Sequence, residues 1–142
     1  MKKEYKEGVM VIVQNLKNQF LVHHRSTTRK VFPELYELGA GGKVEPGEHP
    51  QDAAKRELKE EVGIIDDPKF LFNFPFDYKP YGGTINGITH IFQTIYDNEL
   101  TGTCDEFQWT GWMNKEEVEK IALSGKMCPD TKIAWEKFKQ LL

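Results

Sequence analysis

The stretch that most constrains the fold covers residues 42–64, because its second half carries the signals that begin and end a helix. Pro50 suits a first helical position, where no backbone N–H is needed and φ is already fixed. Gly63 readily adopts the left-handed conformation that ends a helix, and the apolar Ile64 can then fold back over the last turn. These signals predict an α-helix over Pro50–Val62.

Three glutamates share one face of this predicted helix: Glu57, Glu60 and Glu61. Like charges at this spacing repel one another and destabilise a helix unless a positive group neutralises them. Carboxylate oxygens on one face suit a hard cation such as Mg²⁺ or Mn²⁺, and Arg56 can pair with Glu60 at i, i+4. A solvated acidic surface is the alternative interpretation, since short motifs also occur by chance.

Two adjacent glycines, Gly41 and Gly42, precede the helix and allow the backbone to approach another group closely. We expect a backbone carbonyl at this point, that of Gly42, to add an oxygen to the metal site. Pro46 and Gly47 fit the two central positions of a type II turn. Such a turn returns Glu48 towards the start of the helix.

The whole stretch matches the Nudix box, Gly-x5-Glu-x7-Arg-Glu-(apolar)-x-Glu-Glu-x-Gly-(apolar). The matching residues are Gly42, Glu48, Arg56, Glu57, Leu58, Glu60, Glu61, Gly63 and Ile64. The chain therefore resembles the Nudix hydrolase family. This resemblance implies an α/β (α+β) fold, an α/β/α sandwich with a mixed sheet, in which the box forms a loop–helix–loop motif.

Nudix hydrolases cleave the pyrophosphate bond of a nucleoside diphosphate linked to another group. The phosphates are densely charged, so they must be neutralised before water can attack phosphorus. The resemblance implies Mg²⁺ or Mn²⁺ bound by Glu57 and Glu61, with Glu60 as a third ligand. It also implies that Glu48 and Arg56 orient these ligands. The expected partner is a small nucleoside diphosphate derivative.

The general base has more than one candidate. The box residue Glu57 is one, since a metal-binding glutamate can also accept the proton of the attacking water. Some family members use a downstream acid, and Glu106, six residues before Trp112, resembles the position of that acid. The neighbouring Asp105 is the alternative to Glu106 as the downstream general base.

Two other functions remain possible from the sequence. Arg25, Lys30, Pro33 and Tyr36 resemble the Nudix branch related to isopentenyl diphosphate isomerase, which uses a Cys and a His just before a degenerate box. Residues 38–41 offer neither, and the box here is complete. A non-catalytic, nucleotide-binding Nudix domain is the other alternative, but such domains typically lose box glutamates.

The whole chain fits a single domain over residues 1–142 with a substantial core. Its net charge of −3 and lack of a basic stripe argue against a nucleic-acid polymer as partner. No apolar run reaches the length of a membrane span, so we expect a cytoplasmic protein. Cys104 and Cys128 are far apart and predict isolated, reduced thiols.

Hydrophobic patterns predict the remaining elements. The predicted strands cover residues 8–14 and 19–24, which form a hairpin, then 85–96 and 107–113, and the predicted later helices cover 115–123 and 130–142. The strand at 85–96 is apolar on both faces and therefore central. In the last helix, Ala134, Phe138 and Leu141 form the apolar stripe.

Aromatic residues alternate between Phe70 and Tyr78, which places them on one face of a strand. Core packing is the preferred interpretation, because aromatic side chains dominate protein cores. A base-stacking platform or the face of a homodimer is the alternative. Pro75 in the middle of the run predicts an edge strand or a break, since proline cannot donate a ladder hydrogen bond.

Overall fold

A computed structural model describes residues 5–30, 32–81, 86–100 and 107–142. The strands are β1 Tyr5–Gln14, β2 Phe20–Arg25, β3 Tyr36–Leu38, β4 Ala40–Lys43, β5 Lys69–Asp77, β6 Asn86–Ile95 and β7 Phe107–Met113. The α-helices are α1 Pro50–Val62, α2 Lys115–Ser124 and α3 Pro129–Lys139, and a short 3₁₀ turn covers Lys79–Tyr81.

The strands of the described residues form one seven-stranded mixed sheet in the order β3-β2-β1-β6-β5. β4 pairs with β1, and β7 pairs with β2. β1 and β6 run parallel, whereas the other pairs are antiparallel, including the predicted hairpin of β1 and β2. β6 lies between β1 and β5, which confirms the prediction of a central strand.

β1 is buried on both faces because each face of the sheet is covered by helices. On one side α1 closes a core that includes Val9, Val11, Ala54, Leu58 and Phe92. On the other side α2 and α3 close a core that includes Met10, Ile12, Val118, Trp135 and Phe138. This arrangement is the predicted α/β/α sandwich, and it explains why β1 lacks polar alternation.

Helix α1 has the predicted bounds, Pro50–Val62. Its first turn is capped by His49, whose Nδ1 accepts a hydrogen bond of 3.3 Å from the Gln51 N–H. Gly63 ends the helix in the left-handed conformation, with φ 73°. The Ile64 side chain is fully buried, and its N–H donates to the Leu58 carbonyl at 3.2 Å. These contacts define the two ends of α1.

The aromatic strand β5 is an edge strand, as Pro75 predicted. The prediction that its aromatic residues share one face is wrong for Phe70, because a bulge follows this residue and shifts the register against β6. Phe70 therefore contacts Phe92 on the α1 side, with ring centroids 5.5 Å apart. Phe74 and Phe76 are buried in the opposite core, which confirms the core-packing interpretation for them.

Helix α3 ends at Lys139, earlier than predicted. Leu141 is consequently 60% exposed, so the expected stripe through Leu141 is wrong. The fully buried Trp135 takes its place in the core, and its Nε1 donates to Glu119 Oε2 at 3.0 Å. This bond satisfies the polar end of a buried indole. No helix in the described segments is long and apolar enough to cross a membrane.

Cys128 is a free, buried thiol at the start of α3, as the sequence predicted. Burial raises its pKa, with smaller contributions from the nearby Glu37 and Asp130 carboxyl groups. A thiol that resists ionisation is a poor nucleophile. Cys104 lies outside the described residues.

Candidate active site

The site forms where α1 packs against the glycine pair of β4. A β-carbon on Gly42 would overlap the carboxylate of Glu57. Gly42 itself is paired with Val9 in the sheet. Glycine at this position therefore lets the Glu57 side chain, 12% exposed, lie directly against the strand.

Glu61 lies one helical turn beyond Glu57 and also faces β4. Its Oε1 accepts a hydrogen bond of 2.6 Å from the backbone N–H of Gly41. Although Glu61 is only 7% exposed, its charge is thus supported by a backbone donor. Glu60, in contrast, has a side chain that is 59% exposed. The helix therefore directs two of the three predicted ligands to β4 and the third towards solvent.

Arg56 joins the acidic residues on both sides of it. Its Nε and Nη2 each donate to Glu48 at 2.9 Å in a two-pronged contact, and Nη2 also donates to the Lys43 carbonyl at 2.9 Å. Its Nη1 contacts Glu57 Oε1 at 2.7 Å and Glu60 Oε2 at 3.3 Å. The planar guanidinium thus ties the loop before α1 to the helix.

The predicted turn before the helix is present, with Gly47 at φ 79°. It places Glu48 where its Oε1 accepts the Glu45 N–H at 3.0 Å. The hydrogen bonds from Arg56, and then the one from Glu45, lower the pKa of Glu48 to about 2. The hydrogen bond to Glu48, and then the contact with Glu57, raise the pKa of Arg56. Glu48 and Arg56 therefore stay charged, which suits the orienting role that the sequence predicted for them.

A divalent cation fits the chemistry of these donors, because Glu57 and Glu61 present carboxylate oxygens to the glycine backbone of β4. Within the described segments, however, no three His, Cys, Asp or Glu side chains converge closely enough to hold an ion. The positive group beside Glu57 and Glu60 is Arg56. A metal ligated by Glu57, Glu60, Glu61 and the Gly42 carbonyl stays a prediction.

Asp105 and Glu106, the downstream candidates for the general base, lie outside the described residues, so their role also stays a prediction.

Arg25, one of the residues that suggested the isomerase branch, has a structural role. Its side chain is 8% exposed, pairs with Glu37 at 2.8 Å and donates from Nε to the Phe32 carbonyl at 3.0 Å. It holds the loop between β2 and β3.

The sequence did not identify a cavity beside the site. The cavity has a volume of about 510 Å³ and is lined by Lys6, Glu7, Lys43 and residues 44–48. Its residues come from the start of β1, the end of β4 and the loop before α1, which are brought together by the β1–β4 pairing and by the hydrogen bond of 2.9 Å from the Val44 N–H to the Glu7 carbonyl. Nothing in the local sequence around Lys6 signals this proximity.

Comparison with known sequences agrees with the identification of the Nudix box and with the observed fold. The NUDIX domain profile matches residues 4–131. The Nudix hydrolase SCO1686 of Streptomyces coelicolor is 30% identical over 124 residues, covering 86% of this chain and 67% of that protein. The nucleoside triphosphatase NudI of Salmonella agona is 32% identical over 118 residues, covering 78% of this chain and 82% of that protein.

Among solved structures, the MutT protein from Methanosarcina mazei Go1 superposes with a TM-score of 0.80 at 23% identity. The match covers 99% of this chain and 96% of that chain. At this identity the similarity concerns the fold. Since the family profile spans most of the chain and the box is complete, the chain belongs to the Nudix family and is a Nudix hydrolase, an enzyme that cleaves pyrophosphate bonds.

Proposed function

We propose that this chain hydrolyses the pyrophosphate bond of a nucleoside diphosphate linked to another group, and that the reaction depends on Mg²⁺ or Mn²⁺. One observation carries the proposal most strongly. Glu57 and Glu61 are held against the glycine backbone of β4, by Arg56 and by the Gly41 N–H. Carboxylates preorganised in this way are suited to a cation that must in turn bind phosphate.

Glu57 and Glu61 are the proposed metal ligands, with Glu60 and the Gly42 carbonyl as further donors. A bound divalent ion neutralises phosphate charge and lowers the pKa of a coordinated water. Arg56 positions Glu57 through the 2.7 Å contact, and Glu48 fixes Arg56 by the two-pronged one.

The proton of the attacking water passes to a carboxylate of this chain. Glu57 is the candidate among the described residues, because its carboxylate lies in the site and its contact with Arg56 keeps one oxygen oriented. Glu106 and Asp105 are the alternatives. Variants at Glu106 and Asp105 distinguish them, since loss of a base that is not a metal ligand lowers kcat without weakening metal binding, whereas loss of Glu57 should weaken both.

A nucleoside triphosphate is the first substrate to test. It is a nucleoside diphosphate linked to phosphate, and the relative NudI is named a nucleoside triphosphatase. ADP-ribose, dinucleoside polyphosphates, nucleotide sugars and coenzyme A complete the panel. All share the pyrophosphate bond that the proposed site acts on.

The experiment is a hydrolysis panel with Mg²⁺ or Mn²⁺, run on the parent, Glu57→Gln, Glu61→Gln and the control Glu116→Gln. Glu116 is an exposed residue of α2, away from the site. We expect the two site variants to lose turnover by roughly a hundredfold or more while the control keeps it. Near-parental rates in both site variants contradict the proposed metal ligands.

Adding isopentenyl diphosphate and a measurement of nucleotide binding to the panel tests the alternatives. An isomerase moves the double bond of isopentenyl diphosphate without cleaving any pyrophosphate bond, and a binding-only domain retains nucleotides without turnover. Either result replaces the proposed hydrolysis.

We further propose that residues 1–142 form a single domain and that the protein is located in the cytoplasm. The aromatic strand also suggests a homodimer, which size-exclusion chromatography with light scattering tests.

A further inference from the structure

The chain reverses its direction at Gly39, between β3 and β4. β3 lies antiparallel to β2, with Leu38 opposite Val22. β4 lies antiparallel to β1, with Ala40 opposite Val11. β3 therefore runs towards the hairpin that joins β1 and β2, and β4 runs away from it. Gly39 has φ 63°, and a β-carbon on it would overlap the Val11 carbonyl group, so only glycine fits at this reversal.

One buried histidine side chain holds the reversal in place. His23 of β2 is 1% exposed, and its Nε2 is hydrogen-bonded to the Gly39 carbonyl oxygen. Its Nδ1 lies 2.8 Å from Thr110 Oγ1 on β7, and its ring stacks on Phe107 with centroids 3.9 Å apart. The Gly39 N–H donates to the Leu21 carbonyl at 2.8 Å. Both backbone polar groups of Gly39 are therefore bonded to residues of β2.

The partners of the His23 ring determine its protonation state. A carbonyl oxygen can only accept a hydrogen bond, so Nε2 carries the proton that bonds to Gly39. In the neutral ring Nδ1 is then an acceptor, and the Thr110 hydroxyl donates to it. Burial lowers the pKa of His23 to about 4, so the ring is neutral at physiological pH. His23 thus supplies one donor to Gly39 and one acceptor to Thr110.

The reversal leads directly into the glycine pair of the candidate active site. Gly41 follows two residues after Gly39, and its N–H donates to Glu61 Oε1 at 2.6 Å. Gly42 comes next and packs against the Glu57 carboxylate. Peptide units are planar and leave only two free dihedral angles per residue. A rotation of the Gly39 peptide therefore displaces the Gly41 N–H that supports Glu61.

We propose that His23 is a positioning residue of the candidate active site, which acts through the Gly39 carbonyl on the Gly41 N–H and on the Glu61 carboxylate. This inference rests on the proposed function for the reaction that the site performs. Gly39 is buried, so water cannot readily replace a lost hydrogen bond to its carbonyl. A buried peptide group without a partner is costly, and the backbone is expected to rotate until the group finds one.

The two nitrogens of the His23 ring can be replaced separately. In His23→Gln the amide nitrogen can take the place of Nε2 and keep the donor to Gly39. In His23→Asn the amide oxygen can take the place of Nδ1, so that only the acceptor for Thr110 remains. The proposal therefore predicts that glutamine rescues the site and that asparagine does not.

His24→Asn is the matched control. His24 is the next residue of β2, and its ring also stacks on an aromatic side chain, that of Tyr36, with centroids 4.4 Å apart. Its Nε2 also contacts a backbone carbonyl, that of Glu34, at 2.9 Å. This carbonyl lies before β3 rather than at the reversal. The control thus removes an equivalent set of contacts that does not lead into β4.

The first measurement is nuclear magnetic resonance of the metal-free protein. Imidazole nitrogen spectra should show His23, identified by its absence in His23→Gln, as the neutral Nε2–H tautomer from about pH 5 to 8. The Gly41 amide proton should keep its parental shift in His23→Gln and in the control. It should move upfield in His23→Asn, because the hydrogen bond to Glu61 lengthens.

The second measurement is steady-state kinetics at saturating Mg²⁺ on the best substrate of the panel. His23→Asn should lower kcat about tenfold, since residues that orient metal ligands indirectly have effects of this size. KM should change less than kcat, because His23 is buried and leaves the substrate contacts intact. His23→Gln and the control should remain close to the parent. Melting curves verify that each variant is folded.

Three results overturn the proposal: a His23 ring that is charged at neutral pH or protonated on Nδ1, an unmoved Gly41 amide in folded His23→Asn, and equal losses in the glutamine and asparagine variants. The spectrum of the parent keeps the test decisive even where a variant does not fold. A Gly41 amide that moves as expected in a protein that hydrolyses nothing leaves the positioning role standing and removes the proposed function. Hydrolysis with an unmoved amide does the reverse.

Discussion

Replacing Gly42 by alanine is expected to separate catalysis from folding. The three closest atoms to the new β-carbon would all belong to the Glu57 carboxylate group, with Cδ at 2.5 Å. Ordinary carbon contacts lie at about 3.5–4.0 Å, so Glu57 must move by about 1 Å. Because Glu57 ends in a flexible side chain, it can rotate away without moving the sheet.

The substitution is expected to lower the stability slightly and the catalytic rate strongly. Displacing Glu57 breaks its 2.7 Å contact with Arg56, whose side chain is 27% exposed. The loss of such a partly exposed ion pair costs about 1 kcal/mol of the free energy of unfolding, or a few degrees in Tm. A misplacement of about 1 Å in a catalytic group, in contrast, lowers the rate by about 100-fold.

The assay measures kcat/KM on the best substrate of the panel and the free energy of unfolding in urea. Gly125→Ala is the matched control, because Gly125 has φ 80° with no atom within 4 Å of the new β-carbon. Alanine there costs about 1 kcal/mol through backbone strain alone, while the activity of the folded enzyme is unchanged.

Two results would refute this reasoning. Activity of Gly42→Ala within about threefold of the parent shows that the position of Glu57 is not used in catalysis. A loss of stability above about 3 kcal/mol shows that the backbone of β4, rather than the Glu57 side chain, is displaced.

The remaining predictions concern pH, metal and the core. Arg56 holds the folded pKa of Glu48 at about 2, below its ordinary value of 4.5. This pair therefore stabilises the fold above pH 4.5, and the stabilisation is lost as the pH falls towards 2. In urea titrations at several pH values, the free energy of unfolding of Glu48→Gln should fall less steeply with acid than that of the parent, and an equally steep fall contradicts the assignment. Mg²⁺ should raise Tm by mass action, because a hundredfold excess over Kd adds about 2.7 kcal/mol to the free energy of unfolding, whereas Na⁺ at matched ionic strength should not. A Tm of the parent that does not respond to millimolar Mg²⁺ contradicts a metal site. Trp135→Phe removes the hydrogen bond to Glu119 and should cost about 1–3 kcal/mol in urea unfolding, so a neutral effect shows that this bond does not stabilise the core.

The sequence predicted helix α1 well because the signals are local. Pro50, Gly63 and Ile64 act on the backbone within a turn of themselves, so the bounds of α1 agree with the prediction. The glycine pair before it was also assigned correctly to close approach, although the group that approaches Gly42 is the Glu57 side chain.

Features that depend on strand register could not be predicted. The bulge after Phe70 redirects one aromatic ring, and only the pairing with β6 determines it. The proximity of Lys6 and Lys43 likewise requires the alignment of β1 with β4. The contact of Arg56 with Glu48 does not depend on register, since the turn between them, which the sequence predicted, brings Glu48 back to the helix.

The most direct test of the central claim is a Mn²⁺ titration followed by electron paramagnetic resonance, without substrate. It compares the parent with the Glu57→Gln, Glu61→Gln double variant and with Glu116→Gln. If the two box glutamates hold the divalent ion, the parent and the Glu116 control sequester Mn²⁺ equally and the double variant leaves it free in solution. Equal binding by all three proteins contradicts the account, because the ion then lies elsewhere.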